Sequence, residues 1–260
     1  GSLSKTNDTT YTATFTVAEG GSDVLAGSDI PVSVQLVDPA GNTSNTFTTA
    51  ISQTSDSIDA NAPGISTVAI TSETGAQNSL LNAGDVVTAT VTFDEAVTVS
   101  GTPQLALNVG GTTVQADYAS GSGGTDLTFT YTILATQADA DGISIDANSL
   151  ALNSGTIVDA AGNAALLTHS AVTDNGSYKV DTTAPTVTGV SIPDVAMNVG
   201  DTVTATISVS GATGETLTLA SSNVGGFALG SLSKTDDTTY TATFTVTEGG
   251  TDVAAGSDIP

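Results

Sequence analysis

The sequence contains no cysteine, no tryptophan and no arginine, and its only basic residues are Lys5, Lys179 and Lys234. The absence of cysteine excludes disulfides and thiolate metal sites. Recognition of a nucleic-acid backbone needs many lysine and arginine side chains to neutralise phosphates, so three lysines exclude nucleic acid as a partner. The same shortage argues against binding to an anionic membrane surface.

The 27 acidic residues give a formal net charge of −24, and this imbalance comes from the missing bases. A divalent cation is therefore the charged partner that the composition favours. No apolar run reaches the roughly 18 residues of a membrane span, and no basic segment followed by an apolar one marks a secretion signal. We therefore expect no direct membrane insertion. The apolar content of 38% is enough to build buried cores.

A near-literal internal repeat dominates the sequence: residues 1–31 reappear as residues 230–260 with four substitutions. These are Asn7/Asp236, Ala18/Thr247, Ser22/Thr251 and Leu25/Ala254. A fainter similarity relates residues 82–90 to 198–206, and residues 38–42 to 159–163. Repetition on this scale is typical of an array of similar structural modules. The pattern predicts two related domain types that alternate along the chain.

Two short seams, which end in Pro63 and Pro185, separate these modules. Proline fixes its own φ and holds the preceding residue extended, so each seam should end one strand and lead into the next without a helix. We therefore predict the C-terminal part of one domain at residues 1–63, a complete domain at 64–185, and the N-terminal part of the next domain at 186–260.

Apolar residues alternate with threonine over residues 11–17, 87–93 and 127–133. This period of two predicts strands with one buried and one solvated face. Glycine-rich turn signals lie between the strands, and no amphipathic helix of useful length is present. Regular short strands with such turns favour an all-β fold built from antiparallel β-sandwiches.

Four motifs then carry a resemblance to a known family. They are Asn-x-Gly-Asp-x-Val-Thr-Ala-Thr at 82–90, which opens a strand, Phe-Asp-Glu-Ala-Val at 93–97, which closes it, Asp-x-Ala-Gly-Asn at 159–163 and Val-Asp-Thr-Thr-Ala-Pro at 180–185. With these motifs the chain resembles the bacterial immunoglobulin-like domains that repeat in large cell-surface adhesins, including RTX-type adhesins exported by type I secretion.

The resemblance implies an elongated tandem array of immunoglobulin-like β-sandwiches, with adjacent domains of the same chain as partners. It also implies a function: a calcium-stiffened extender outside the cell, at the bacterial surface, that supports cell adhesion or biofilm formation.

Acidic and amide side chains are predicted to meet at the first seam, because the loops that carry them share one pole of a sandwich. Calcium takes six to eight oxygen ligands and accepts loop geometry. A structural Ca²⁺ is therefore predicted here. Its candidate ligands are Asp59, Asn61, Asp94, Glu95, Asp159 and Asn163. For Asp159 and Asn163 an ordinary hairpin turn is the alternative, and the two interpretations are compatible.

A second calcium site is predicted at the other seam. Asp181 would be joined there by Glu73, Asp139 and Asp141 from the far pole of the complete domain. The equivalents of Asp38 and Asn42 in the following domain would complete it.

Catalysis is not expected. His169 is the only histidine and, without cysteine or a second histidine, has no partner for a nucleophilic triad or a zinc site, so a solvent-facing strand position is expected. The Asp94–Glu95 pair could serve glycoside hydrolysis in principle, but aromatic residues are few. The stretch from Asp139 imitates an EF-hand loop, yet Leu150 stands where that loop needs a glutamate.

Two other functions remain open. One is a structural subunit of an extracellular filament or surface layer, in which neighbouring copies complete the half-domains by self-assembly. The other is a carbohydrate-binding module, which predicts a concave aromatic patch.

Overall fold

The computed structural model describes residues 3–55, 57–250 and 253, so part of the predicted third domain (residues 251, 252 and 254–260) lies outside the described residues. All regular elements in the described part are strands, which confirms the all-β class and its β-sandwich character. These residues contain no helix of the length and apolarity that a membrane crossing requires. The tandem immunoglobulin-like array stays a prediction.

The chain forms two compact units, Gly1–Asp181 and Thr182–Pro260. The division lies within the second proline seam, close to the predicted boundary after residue 185. The predicted boundary after residue 63 lies inside the first unit. The contacts across the first seam therefore lie within a single unit.

Strands of the first unit are β1 (Leu3–Lys5), β2 (Tyr11–Ala13), β3 (Ile65–Thr74), β4 (Leu80–Leu81), β5 (Val86–Ser100), β6 (Gln104–Val109), β7 (Thr112–Ser120), β8 (Gly124–Thr132), β9 (Ala138–Asp139), β10 (Leu150–Ala151), β11 (Thr156–Val158) and β12 (Lys179–Asp181). The main sheet has the order β10-β6-β7-β8-β5-β11, and β3 also pairs with β5. A second sheet has the order β4-β12-β9.

The core of the first unit lies along β5 and β8, as the alternation predicts. Ala89 lies opposite Phe129, and Val91 lies opposite Leu127; all four side chains are fully buried. Full burial of one side chain such as Val91 contributes about 1.5–3 kcal/mol to the stability of the fold. The threonines between them face outward, so these two predicted strands are confirmed.

Strand β5 does not close at residues 93–97, and that expectation was wrong. It continues to Ser100, and its pairing with β8 shifts between Thr92 and Val97. The strand resumes because Val97 is buried again and its carbonyl accepts a hydrogen bond from the backbone N of Gly123 (2.7 Å). The irregularity is a bulge, which bends a strand and redirects side chains, and it contains Asp94 and Glu95.

Residues 3–55 and 57–63 include a hairpin and an open ribbon. The hairpin is β1–β2, and the ribbon is a nested series of antiparallel bridges that the turn at residues 38–42 closes. The bridges are Val24↔Ile58, Ile30↔Ile51, Val34↔Phe47 and Val37↔Thr43. Most of the apolar side chains in this segment are exposed.

Strands of the second unit are β13 (Thr186–Ser191), β14 (Thr202–Ser210), β15 (Asn223–Val224), β16 (Phe227–Ala228), β17 (Ser233–Lys234) and β18 (Thr239–Thr245). Four of them form a sheet in the order β13-β14-β18-β17. Its core includes Ile207, Val209, Ala212, Tyr240 and Ala242.

Candidate metal site

Three carboxylates from distant parts of the chain meet beside the first seam. One oxygen atom from each of Asp59, Glu95 and Asp159 lies within 4.8 Å of the other two. Asp59 belongs to the seam, Glu95 to the β5 bulge, and Asp159 directly follows β11. Across residues 3–55, 57–250 and 253, these three form the only group of three or more His, Cys, Asp or Glu side chains close enough together to hold one metal ion.

Asp159 is fixed by the hairpin turn that it begins. Its Oδ1 accepts hydrogen bonds from the backbone N of Gly162 (2.7 Å) and of Asn163 (2.8 Å), and its Oδ2 accepts one from Nδ2 of Asn163 (2.8 Å). Burial acts to raise its pKa, but the hydrogen bonds from Asn163 and Gly162 outweigh burial and hold the pKa below the usual range. The carboxylate is thus kept ionised although the residue is only 4% exposed.

The pKa of Glu95 is shifted in the opposite direction from that of Asp159. Its burial raises the pKa of its carboxyl, and the negative charges of Asp159, Asp59, Asp94 and Asp23 raise it further. The folded protein therefore holds like charges together at a cost. A bound cation would relieve this repulsion.

Hydrogen bonds tie the seam to the β5 bulge. Asp94 Oδ1 accepts a bond from the backbone N of Gly64 (2.8 Å), and the backbone N of Asp94 donates to the carbonyl of Gly64 (3.0 Å). The carbonyl of Pro63 accepts a bond from the backbone N of Leu166 (2.9 Å). The approach is close, because a Cβ atom on Gly64 would lie 3.1 Å from Asp94 Oδ2.

The other side of the seam is held by two acids that sequence reasoning missed. Asp23 Oδ1 accepts bonds from the backbone N of Ala60 and from Nδ2 of Asn61 (2.9 Å each). The carboxylate of Glu19 accepts from the backbone N of Ala62 (3.2 Å to each oxygen). Both acids flank the Gly-Gly pair at 20–21, one of the glycine-rich turn signals of the sequence. Two carboxylates around that pair were the available signal.

The geometry of the group fits calcium. Calcium–oxygen distances are about 2.3–2.6 Å, so two ligands of one ion lie at most about 5 Å apart, and the three carboxylates satisfy this limit. The group contains only hard oxygen donors, which favour calcium or magnesium over zinc or copper. Asp59, Glu95 and Asp159 would hold the ion, which would supply positive charge and cross-link three segments.

The other predicted ligands at this seam lie beside the group. Asp94 is hydrogen-bonded to Gly64, and the side-chain amide nitrogen of Asn61 faces Asp23. Nδ2 of Asn163, besides its bond to Asp159, makes longer contacts of 3.4 Å to the carbonyls of Asp59 and Asn61. The structure thus brings all six predicted residues to one pole. Their binding of a metal stays a prediction.

At the second seam the structure gives the predicted ligands other roles. Asp139 is buried, and its two oxygens accept bonds from the backbone N of Gly110 and of Gly142 (2.7 Å each). Gly110 has φ +55° and lies so close to the Ala138 carbonyl that a side chain would collide with it. Asp139 therefore joins two loops.

The remaining candidates are not grouped either. Glu73 Oε2 accepts from the backbone N of Ala76 (3.1 Å), and Asp141 is exposed. Asp38 and Asn42, whose equivalents in the following domain are the predicted ligands, close an exposed turn in which Nδ2 of Asn42 donates to Oδ2 of Asp38 (2.9 Å), so the part of the prediction that concerns those equivalents stays a prediction. In the first unit, the described residues form no group of three acids that includes Asp181.

His169 lies outside any strand and is half-buried, so the expected solvent-facing strand position was wrong. Its Nε2 lies 2.9 Å from the backbone N of Ser149, and its Nδ1 lies 2.9 Å from the carbonyl of Ser170. The backbone N–H must donate, so Nε2 is the acceptor and Nδ1 carries the proton. The ring joins two loops of the sandwich.

Comparison with known proteins adds no relative: no protein-family model, curated protein or solved structure matches the chain.

Proposed function

We infer that this chain is a non-catalytic, repetitive extender of a bacterial cell-surface adhesin, stiffened by calcium at a joint between domains. The motif resemblance supports the class, and the all-β fold with its internal repeats agrees with it. Cell adhesion or biofilm formation outside the cell is the corresponding biological role. The observation that carries the calcium part is the convergence of Asp59, Glu95 and Asp159 at the first seam.

The three carboxylates connect parts of the chain that belong to different predicted domains. Asp59 comes from the segment before Pro63, whereas Glu95 and Asp159 come from the following sandwich. Like charges held this close repel one another, and this repulsion adds to burial, the larger cause, in raising the pKa of Glu95. The repulsion favours separation of the two sides when no cation is present. A cation between them turns repulsion into attraction, so the joint becomes stiff.

The affinity expected for such a site is modest. Extracellular calcium modules bind with Kd of about 10⁻⁴ to 10⁻³ M. The joint would therefore be filled in calcium-rich surroundings outside a cell and largely empty at cytosolic calcium concentrations. A rod that forms only after export follows from this difference.

Small-angle scattering with titration calorimetry tests the proposal. In millimolar calcium we expect one bound ion at this seam and a larger radius of gyration than in chelator. The triple variant Asp59→Asn, Glu95→Gln and Asp159→Asn should lose both effects. A matched control removes the same charge from three exposed acids outside the group, as Asp29→Asn, Asp146→Asn and Asp174→Asn.

The control variant should behave like the wild type. Scattering profiles that do not change with calcium would remove the stiffening role. Calcium binding of equal strength by the triple variant and the wild type would place the ion elsewhere.

A further inference from the structure

The chain contains a single Asn-Gly pair, Asn175–Gly176, in the turn that precedes β12. In such a pair the backbone nitrogen of the glycine can attack the side-chain amide carbon of the asparagine, because glycine has no Cβ to obstruct the approach. The attack closes a succinimide ring and releases ammonia, and water then opens the ring. The hydrogen bonds that the folded chain gives to the two reacting groups decide whether the pair reacts.

Both the attacking nitrogen and the leaving nitrogen of this pair are accessible. The backbone N of Gly176 donates no hydrogen bond within residues 3–55, 57–250 and 253. Nδ2 of Asn175, which would leave as ammonia, also makes no hydrogen bond in the described part of the chain. Gly176 is exposed and Asn175 is half-buried, so solvent reaches the pair.

The turn also holds the amide carbon of Asn175 in place. Its Oδ1 accepts a hydrogen bond from the backbone N of Ser177 (3.0 Å). This bond closes a ring of atoms that contains both Cγ of Asn175 and the nitrogen of Gly176, so the two reacting atoms stay near each other. The Ser177 N–H also contacts the oxygen that gains negative charge as the new bond forms, and such a donor stabilises that charge.

Asn148–Ser149 shows how the fold protects another asparagine that precedes a small residue. Oδ1 of Asn148 accepts a hydrogen bond from the backbone N of His169 (3.0 Å), and the backbone N of Ser149 donates to Nε2 of His169 (2.9 Å). One histidine thus engages both reacting groups, and the serine adds a Cβ beside its nitrogen. This pair is the internal comparison for Asn175–Gly176.

We propose that Asn175 is a site of spontaneous deamidation in the folded protein. The nitrogen of Gly176 bonds to Cγ of Asn175, the Cγ–Nδ2 bond breaks, and the NH₂ group leaves as ammonia with the proton from the Gly176 nitrogen. Water then adds across one of the two C–N bonds of the ring. The products are aspartate and isoaspartate, each with one more negative charge than asparagine, and no oxidant or reductant takes part.

The isoaspartate product changes the support of β12. In it the chain runs through the former side-chain carbon, and the main-chain carbonyl of residue 175 becomes a free carboxylate. That carbonyl now accepts a hydrogen bond from the backbone N of Tyr178 (2.8 Å) and packs so closely on Gly142 that a side chain there would collide with it. Both contacts are lost, so β12 and its buried Val180 are held less firmly.

Peptide mapping by mass spectrometry tests the site. The protein is kept folded in mildly alkaline buffer at body temperature, and samples are digested over several days. The peptide with Asn175 should gain one dalton and split into two products, aspartate and isoaspartate. The peptide with Asn148 should react at least about tenfold more slowly, because both of its reacting groups are already hydrogen-bonded.

Gly176→Ala is the matched variant, since the fold has room for it. Gly176 does not have a positive φ, and a Cβ atom there would lie 3.7 Å from its nearest neighbour, Cε of Lys179. The added methyl group obstructs the attack, so deamidation at Asn175 should slow at least about tenfold. The circular dichroism spectrum and the urea midpoint of the variant should match those of fresh wild type.

A second measurement follows the consequence for β12. Aged wild-type protein enriched in isoaspartate should unfold at a lower urea concentration than fresh protein. Asn175→Asp copies the other product and keeps the main chain intact, so it should unfold close to fresh wild type. An aged protein that carries isoaspartate and keeps its urea midpoint would contradict the effect on β12.

Three results would overturn the proposed site. They are a folded protein that gains no mass at Asn175 while the urea-unfolded chain does, equal rates at Asn175 and Asn148, and a rate that Gly176→Ala leaves unchanged. The first would show that the turn protects the pair. None of these measurements involves calcium, so their outcome is independent of the proposed joint.

Discussion

The two Asp-x-Ala-Gly-Asn turns of the first unit have almost the same geometry and very different surroundings. In each, the backbone N of the aspartate donates to the carbonyl of the asparagine, and the asparagine Nδ2 donates to the aspartate Oδ2. Hydrogen bonds from Asn42 lower the pKa of Asp38, and those from Asn163 lower the pKa of Asp159 against the effect of burial. Asp38 is exposed, whereas Asp159 is buried beside Glu95 and Asp59.

The comparison teaches that the motif specifies a turn and nothing more. A turn becomes a candidate metal site only where the fold brings other carboxylates to it. The Asp38 turn is therefore an internal control for the Asp159 turn.

Asp159→Ala should have the largest effect. In calcium-free buffer it leaves the backbone N–H groups of Gly162 and Asn163, whose hydrogen bonds are part-buried, without their acceptor, which should cost about 2 kcal/mol of unfolding free energy. Asp38→Ala removes a similar acceptor at an exposed turn, where water replaces it, and should cost much less. Urea unfolding followed by circular dichroism measures both. Equal losses would mean that burial does not distinguish the two turns.

Asn163→Ala should have an intermediate effect. It removes the side-chain bond to Asp159 Oδ2 and the two longer contacts across the seam, which should cost about 1 kcal/mol. The pKa of Asp159 should rise towards the usual range, and calcium affinity should fall. Asn42→Ala should raise the pKa of Asp38 without any change in calcium affinity. NMR titration of the carboxyl groups and calcium calorimetry compare Asn163→Ala with Asn42→Ala. If both substitutions lowered calcium affinity equally, the ion would not bind at the Asp159 turn.

The smallest effect concerns pH. The folded-state pKa of Glu95 is raised, so the folded protein binds this proton more tightly than the unfolded chain. Its contribution to stability is therefore full below the usual glutamate pKa and is lost as the pH rises through the raised value. In calcium-free buffer, Glu95→Gln should be more stable than the wild type at neutral pH, and the difference should shrink in acid.

Asp159 behaves with the opposite sign in the same experiment. Its folded-state pKa is lowered, so its contribution is present above the usual aspartate pKa and is lost as the pH falls through the lowered value. Chemical denaturation across the acidic range measures both profiles. A Glu95→Gln variant that is less stable than the wild type at neutral pH would show that Glu95 makes favourable contacts instead of suffering repulsion.

Much of the fold follows from the period-two pattern. The alternation at residues 87–93 and 127–133 predicts two core strands, and both are buried as expected. The same alternation at residues 11–17 predicts a strand, but only Tyr11–Ala13 form one there, and the apolar side chains of residues 11–17 are exposed. A sequence pattern reports which face of a strand is apolar, but a neighbouring element must be present to bury it. That information is absent from the segment itself.

The sequence could predict which loops of the candidate site share one pole of the sandwich. It could not predict the individual contacts between their atoms. Loop positions in a sandwich bring residues 59–61, 94–95 and 159–163 together. The bulge in β5 depends on its partners β8 and β11, so the sequence suggested an end at residues 93–97 where the strand in fact bends and continues. Asp23 belongs to the seam because it accepts a hydrogen bond from the backbone N of Ala60. These residues are far apart in the sequence, so local sequence patterns do not predict the contact.

The hydrogen bonds across the first seam also bear on how the seam resists proteolysis. A protease must lift an extended stretch of chain away from the protein surface before it can cut. Ala60 and Pro63 are buried, and the carbonyls of Ala60, Pro63 and Gly64 already accept hydrogen bonds from the backbone N of Gly20, Leu166 and Asp94. A short alanine–proline connector would ordinarily be an easy place to cleave, yet here it is shielded by the segments that it joins.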